Sequence, residues 1–232
     1  WGDTTRSFIE DYGFGAYTFW EARNWDNIAY NAPYYLICKS AGNDRNDFPV
    51  ANNSNYTYYN DPKVFTYDNL DVKRSPEKDG GADDYDCIGW NGNAKNILTV
   101  GAVDDVLNYV DASSVNLASF TGFGPTDDGR IKPDIVGNGV NLLSSTSTND
   151  ASYGFSSGTS MSAPNVTGSL ALLHEHYLEM HNNIPMRAST VKALAIHTAR
   201  ECGTDEGPDY RFGWGLLSTA DAAEVITQDV LN

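Results

Sequence analysis

Basic residues are scarce in this chain: 15 Lys and Arg stand against 31 Asp and Glu, for a formal net charge of -16 and a sequence pI near 4.4. Phosphate backbones and anionic lipid surfaces repel such a chain, which argues against nucleic-acid or membrane-surface partners. No apolar run approaches the about 20 residues that span a bilayer. Cysteine is scarce too. Cys38 falls in an apolar run, while Cys87 and Cys202 lie in or beside loops, so a Cys87 to Cys202 disulfide would leave one thiol over. The four histidines, His174, His176, His181 and His197, all sit late in the chain, and none is followed by glycine. At 232 residues there is length for a sizeable core, as one domain or most of one.

The most informative segment is Gly158-Thr159-Ser160-Met161-Ser162-Ala163-Pro164. After it, Val166, Leu170, Leu173 and Tyr177 recur at three- and four-residue spacing, which predicts a helix from near Ser160 to Met180. A serine on the first turn of a helix meets unpaired amide donors and the positive end of the dipole, a setting that favours a developing oxyanion. Proline is tolerated in a first turn, where its missing N–H has no intrahelical partner. An ordinary capped helix is the alternative reading, because Ser and Thr are good caps. The esterase pattern Gly-x-Ser-x-Gly is not met, since Ser162 fills its last position.

This run, continued by Asn165-Val166-Thr167-Gly168, resembles the nucleophile motif of the subtilisin-like serine proteases, or subtilases. The apolar run Tyr34 to Cys38 predicts a buried strand that leads into Ala41-Gly42-Asn43. Taken alone, Gly-Asn-Asp reads as a turn. In subtilases an Ala-Gly-Asn here supplies the side-chain donor of the oxyanion hole, so the resemblance implies that role for Asn43 and the nucleophile's role for Ser160. The likeness continues through 96–103, 117–125 and 131–136, and through Phe212 to Leu217 with the helix that follows. Gly137-Asn138-Gly139-Val140 departs from the Ala-Pro-Gly-Val of many relatives and is expected only to loosen a turn.

The resemblance implies an α/β fold, a subtilisin-like parallel sheet with helices on both faces. Expected strands are 36–39, 97–103 and 135–136; expected helices are 16–31, 190–199 and 220–226. Residues 45–95 lie outside the likeness, and their Asn, Asp, Gly and Tyr clusters read as an inserted surface loop. Subtilases order their triad Asp, His, Ser, yet no histidine precedes Ser160 and no Asp-Ser-Gly or Asp-Thr-Gly occurs. Trp1-Gly2 resembles the end of a strand that follows the family's catalytic His. The chain is therefore expected to be the C-terminal portion of a subtilase domain, nearly inert alone, with Asp and His on an N-terminal part of the same protein. The implied activity is that of a secreted or cell-envelope serine endopeptidase acting on peptides or proteins. A catalytically inactive, peptide-binding relative is the alternative.

The chemistry requires no cofactor. Many subtilases bind structural calcium, and Asp79, Asp83, Asp84 and Asp86 are clustered oxygen ligands, but they meet no calcium-loop spacing and also read as a solvated acidic loop. In His174-Glu175-His176, neighbouring helical side chains point apart, which disfavours a metal. Tyr12, Phe14, Tyr17, Phe19, Trp20 and Trp25 read either as a cleft lining or as packing between the first helix and the sheet.

Overall fold

The computed structural model describes residues 22–45, 55–61, 66–71 and 85–231. Trp1-Gly2, the aromatics Tyr12 to Trp20, and Asp79, Asp83 and Asp84 lie outside the described residues. The described part of the first expected helix is α1, Ala22–Asn31, which ends before Pro33. Buried Asp26 in α1 accepts the backbone N–H of Lys95 at 2.8 Å and of Asn96 at 2.7 Å. That carboxylate fastens the helix to the turn preceding a central strand.

Strand β1 is Cys38–Ser40. Two strands of the 45–95 segment follow, β2 at Asn55–Asp61 and β3 at Thr66–Asp71. Next come β4, Leu98–Val103, and β5, Ile135–Asn138. A parallel sheet of order β1-β4-β5 forms the centre, with Lys39 opposite Thr99 and Gly101 opposite Val136. All six residues of β4 are buried, as expected for a strand covered on both faces.

Helix α2, Thr159–Met180, covers one face. Its Val166, Leu170 and Leu173 pack against Leu98, Val100 and Ile135, each worth roughly 1.5 to 3 kcal/mol when fully buried. Helices α3, Ala188–His197, and α4, Thr219–Leu231, close this core through Val191, Ala195, Ala222 and Ile226. On the other face, Ile37, Ala94 and Ile97 gather Ala22 and Trp25 of α1. The α/β reading, with helices on both faces, describes this arrangement.

Three expectations need correction. The 45–95 segment is not loop throughout, because β2 and β3 pair antiparallel with Tyr58 opposite Asp68; the Tyr and Thr residues of 56–59 favour strand geometry. Gly137 and Gly139 do not loosen a turn but admit α2 close to the sheet. A Cβ at Gly139 would stand 2.7 Å from the Ala102 Cβ and 3.0 Å from the Gly158 carbonyl oxygen. Pro164 lies inside α2 rather than in its first turn. As its sixth residue, it deprives the Ser160 carbonyl of the N–H that would normally bond four residues on.

All three cysteines are free thiols. Cys87 Sγ accepts the Phe123 N–H at 3.2 Å, and Cys202 Sγ donates to the Arg200 carbonyl at 3.3 Å. Each sulfur thus has its own backbone partner. Burial pushes the Cys202 thiol up to about 12.

A polar cluster that sequence reading missed lies where β5 begins. Asp134 Oδ2 accepts Lys132 Nζ at 2.6 Å and the Thr99 N–H at 2.6 Å, while its Oδ1 takes Lys192 Nζ at 2.8 Å. Burial lowers the Lys132 ammonium to about 8. For the Asp134 carboxyl, burial pushes upward, and the two ammonium groups prevail and hold it low.

Ser162 ties helix to sheet directly. Its buried hydroxyl approaches the Gly101 carbonyl at 2.6 Å and the Gly137 carbonyl at 3.0 Å. Ser162→Ala is expected to cost about 1 to 3 kcal/mol, read as a melting temperature lowered by several degrees. An unchanged melting temperature would remove this fastening from the account of α2.

Candidate active site

The site region forms where the loop after β1 meets the strand pair that feeds α2. That pair is β6, Leu142–Ser145, antiparallel to β7, Tyr153–Ser156. Gly158 then caps α2 with φ 150° and ψ 160°, backbone that glycine adopts without strain. Its N–H donates to the Gly139 carbonyl at 2.8 Å, and its own carbonyl accepts the N–H groups of Met161 at 2.9 Å and Ser162 at 3.2 Å.

Asn43 and Thr159 meet here across 116 positions of sequence. Asn43 Oδ1 accepts the Thr159 N–H at 2.9 Å and the Thr159 hydroxyl at 2.8 Å. The same hydroxyl accepts the Gly42 N–H at 3.2 Å. Because the Asn43 oxygen faces these donors, its Nδ2 is the end left to donate elsewhere. A Cβ on Gly158 would stand 3.3 Å from that nitrogen, so glycine also keeps room beside it.

Ser160 follows Thr159 directly and is exposed, as is Asn43. Of the first amides of α2, those of Thr159, Met161 and Ser162 have acceptors. The Ser160 N–H has none among the described residues, as a second helical residue would. The two serines of the motif therefore differ: Ser160 faces solvent and Ser162 is locked against the sheet. Helical spacing separates them: Ser162 lies four residues before Val166, on the face that Val166, Leu170 and Leu173 turn to the sheet, and Ser160 does not.

The histidines stand elsewhere. His174 is 14 residues along α2 from Ser160, about 21 Å by helical rise. His176 Nε2 lies 3.0 Å from the Thr227 hydroxyl, and His181 Nε2 lies 3.2 Å from Asp229. His197 is exposed in the last turn of α3. No described acid or base partners Ser160.

Among the described residues, no three His, Cys, Asp or Glu side chains converge as metal ligands. Of the acidic cluster only Asp86 is described. It is exposed as a residue, with φ 62°, and local desolvation of its carboxyl, aided by Asp127, pushes it up to about 6. With the folded value above the unfolded one, stability from this group is full at pH below about 4 and declines as the pH rises through 6. Asp86→Asn, which suits a positive φ, is expected to gain on the parent in melting temperature between pH 4 and pH 6. A constant difference across that range would mean Asp86 titrates normally.

Residues 9–215 match the description of the subtilase family. C5a peptidase of Streptococcus pyogenes is 45% identical over 85 residues, which are 37% of this chain and 7% of that protein. Serine protease AprX of Bacillus subtilis is 30% identical over 151 residues, covering 60% of this chain and 32% of that protein. The CspB protease of Clostridium perfringens superposes with a TM-score of 0.53 and 28% identity, over 62% of this chain and 30% of its own. The chain thus spans under a third of these relatives. No helix among the described residues is long and apolar enough to cross a membrane.

Proposed function

Since the chain belongs to the subtilase family, a family of serine proteases, we propose that it is the nucleophile-bearing, C-terminal portion of a serine endopeptidase domain. The observation that carries this reading is the bond from Thr159 to Asn43, which joins the two motif-bearing segments beside exposed Ser160. In the proposed reaction, Ser160 Oγ attacks the peptide carbonyl carbon and forms the acyl-enzyme. The Ser160 N–H and the Asn43 side-chain amide stabilise the oxyanion. A histidine takes the serine proton and returns it to the leaving amine, and an aspartate orients that histidine. In this reading both are supplied by sequence N-terminal to this chain, in keeping with the absence of any histidine before Ser160 here.

The division of labour makes the chain alone a poor catalyst, since an unassisted serine is a weak nucleophile at neutral pH. Its partners are a peptide or protein substrate and the N-terminal part carrying Asp and His. The protein acts outside the cell or in the cell envelope. Fluorophosphonate labelling of the full-length protein, followed by peptide mapping, tests the assignment. Label on Ser160 is the expected result. A folded full-length protein with its Asp and His present and no label on Ser160 overturns it in favour of a non-catalytic peptide-binding role.

A further inference from the structure

A hollow of about 320 Å³ is lined by Tyr85, Ile131 and side chains of the 205–211 segment. Tyr85 stands edge-on to Tyr210, with ring centroids 6.4 Å apart. The Arg211 guanidinium lies over the Tyr85 ring at 5.5 Å and over Phe123 at 5.8 Å, an arrangement that holds the cation in place. The same hollow is lined by Asp205 and Asp209. Asp209 Oδ1 accepts the N–H groups of Arg211 at 2.6 Å and Phe212 at 2.8 Å. Burial, together with the nearby Asp205 and Glu201 charges, pushes the Asp209 carboxyl up despite those two bonds.

Among the described residues, Arg211 pairs with no carboxylate, and neither Asp205 nor Asp209 pairs with a cation. One hollow is therefore lined by both signs of charge, with no ion pair involving them among the described residues, beside the side chains of Tyr85, Ile131, Pro208 and Tyr210. An anion would satisfy Arg211 and crowd the aspartates; a cation would do the reverse. A ligand carrying both charges on a compact apolar body satisfies each side, and charge-assisted bonds at both ends favour it over either half. We propose that this hollow binds a small zwitterion with a free ammonium and a free carboxylate, an α-amino acid or a dipeptide, with the carboxylate on Arg211 and the ammonium on Asp209 and Asp205. The site requires nothing of Ser160.

The test is titration calorimetry on the full-length protein with L-leucine and L-leucyl-L-leucine, against their N-acetylated and amidated forms. Saturable binding by either zwitterion is expected, and the tighter of the two identifies the source as amino acid or peptide. Blocking either terminus, or introducing Arg211→Ala or Asp209→Asn, is expected to weaken binding about ten-fold or more. In Asp209→Asn the new side-chain carbonyl oxygen still accepts both loop amides, and Asp205→Asn supplies a second variant at an exposed position. No saturable binding up to about 10 mM, equal binding of the blocked forms, or full affinity in Arg211→Ala overturns the proposal.

Discussion

Ser160→Ala in the full-length protein is expected to abolish peptidase activity while leaving the fold intact. The Ser160 hydroxyl is exposed and no described bond depends on it, so its removal should barely move the melting temperature. Loss of the nucleophile from a serine triad costs on the order of 10⁶ in turnover. Oxyanion donors and substrate binding alone sustain about 10³ to 10⁴ over the uncatalysed rate. Single-turnover assays with a peptide ester against the wild type check the outcome. Residual activity within about a hundred-fold of wild type would exclude Ser160 as the nucleophile, given the size of that loss. Ser162→Ala supplies the contrast, since it should lower stability while leaving Ser160 chemically competent.

Asn43→Ala is expected to lower kcat by about 10² to 10³, the usual cost of one oxyanion donor, with KM little changed. Alanine also removes the acceptor of the Thr159 N–H and hydroxyl, so a loosened α2 terminus contributes to the loss as well. Asn43→Asp separates the two effects. Aspartate still accepts both Thr159 donors, and it replaces the amide donor with an oxygen that repels an oxyanion. The expected result is a near-native melting temperature with a kcat loss at least as large as that of alanine. If Asn43→Asp instead retains full turnover, Asn43 serves the helix terminus and takes no part in catalysis.

Much of this arrangement is legible in local sequence, because local sequence determines it. The apolar spacing of Val166, Leu170 and Leu173 marks α2 nearly to the residue, whereas the run Tyr34 to Cys38 misplaces β1, which is the half-buried Cys38–Ser40 with Tyr34 and Tyr35 exposed before it. Ser160 and Asn43 can be singled out because their motifs are contiguous strings. The Asp134 cluster cannot: its partners Thr99, Lys132 and Lys192 come from three segments that only the closed fold brings together. The contrast between Ser160 and Ser162 is local instead, since two residues of helix rotate a side chain from solvent to sheet and Ser162 shares the face of Val166. The β2–β3 ribbon is obscured by Asn and Asp among its tyrosines, and strand propensity depends strongly on context. Pro164 misleads through its tolerance of a first turn, because the helix starts a turn earlier than its missing N–H suggests.

The pairing of Asn43 with Thr159 spans 116 positions, and that span has a consequence for biosynthesis. At ribosomal speeds of about 5 to 20 residues per second, roughly 6 to 23 s separate the emergence of the two residues. In that interval β1 must wait for β4, and β5 must join β4 before α2 has a surface to land on. Parallel pairings over such distances form slowly, because chain entropy is lost before contacts compensate for it. A nascent chain therefore holds Asn43 with no helix terminus to bind until Thr159 and the first turns of α2 have emerged. The ribosome-bound chain is thus kept from any chemistry that needs both segments until α2 has been made.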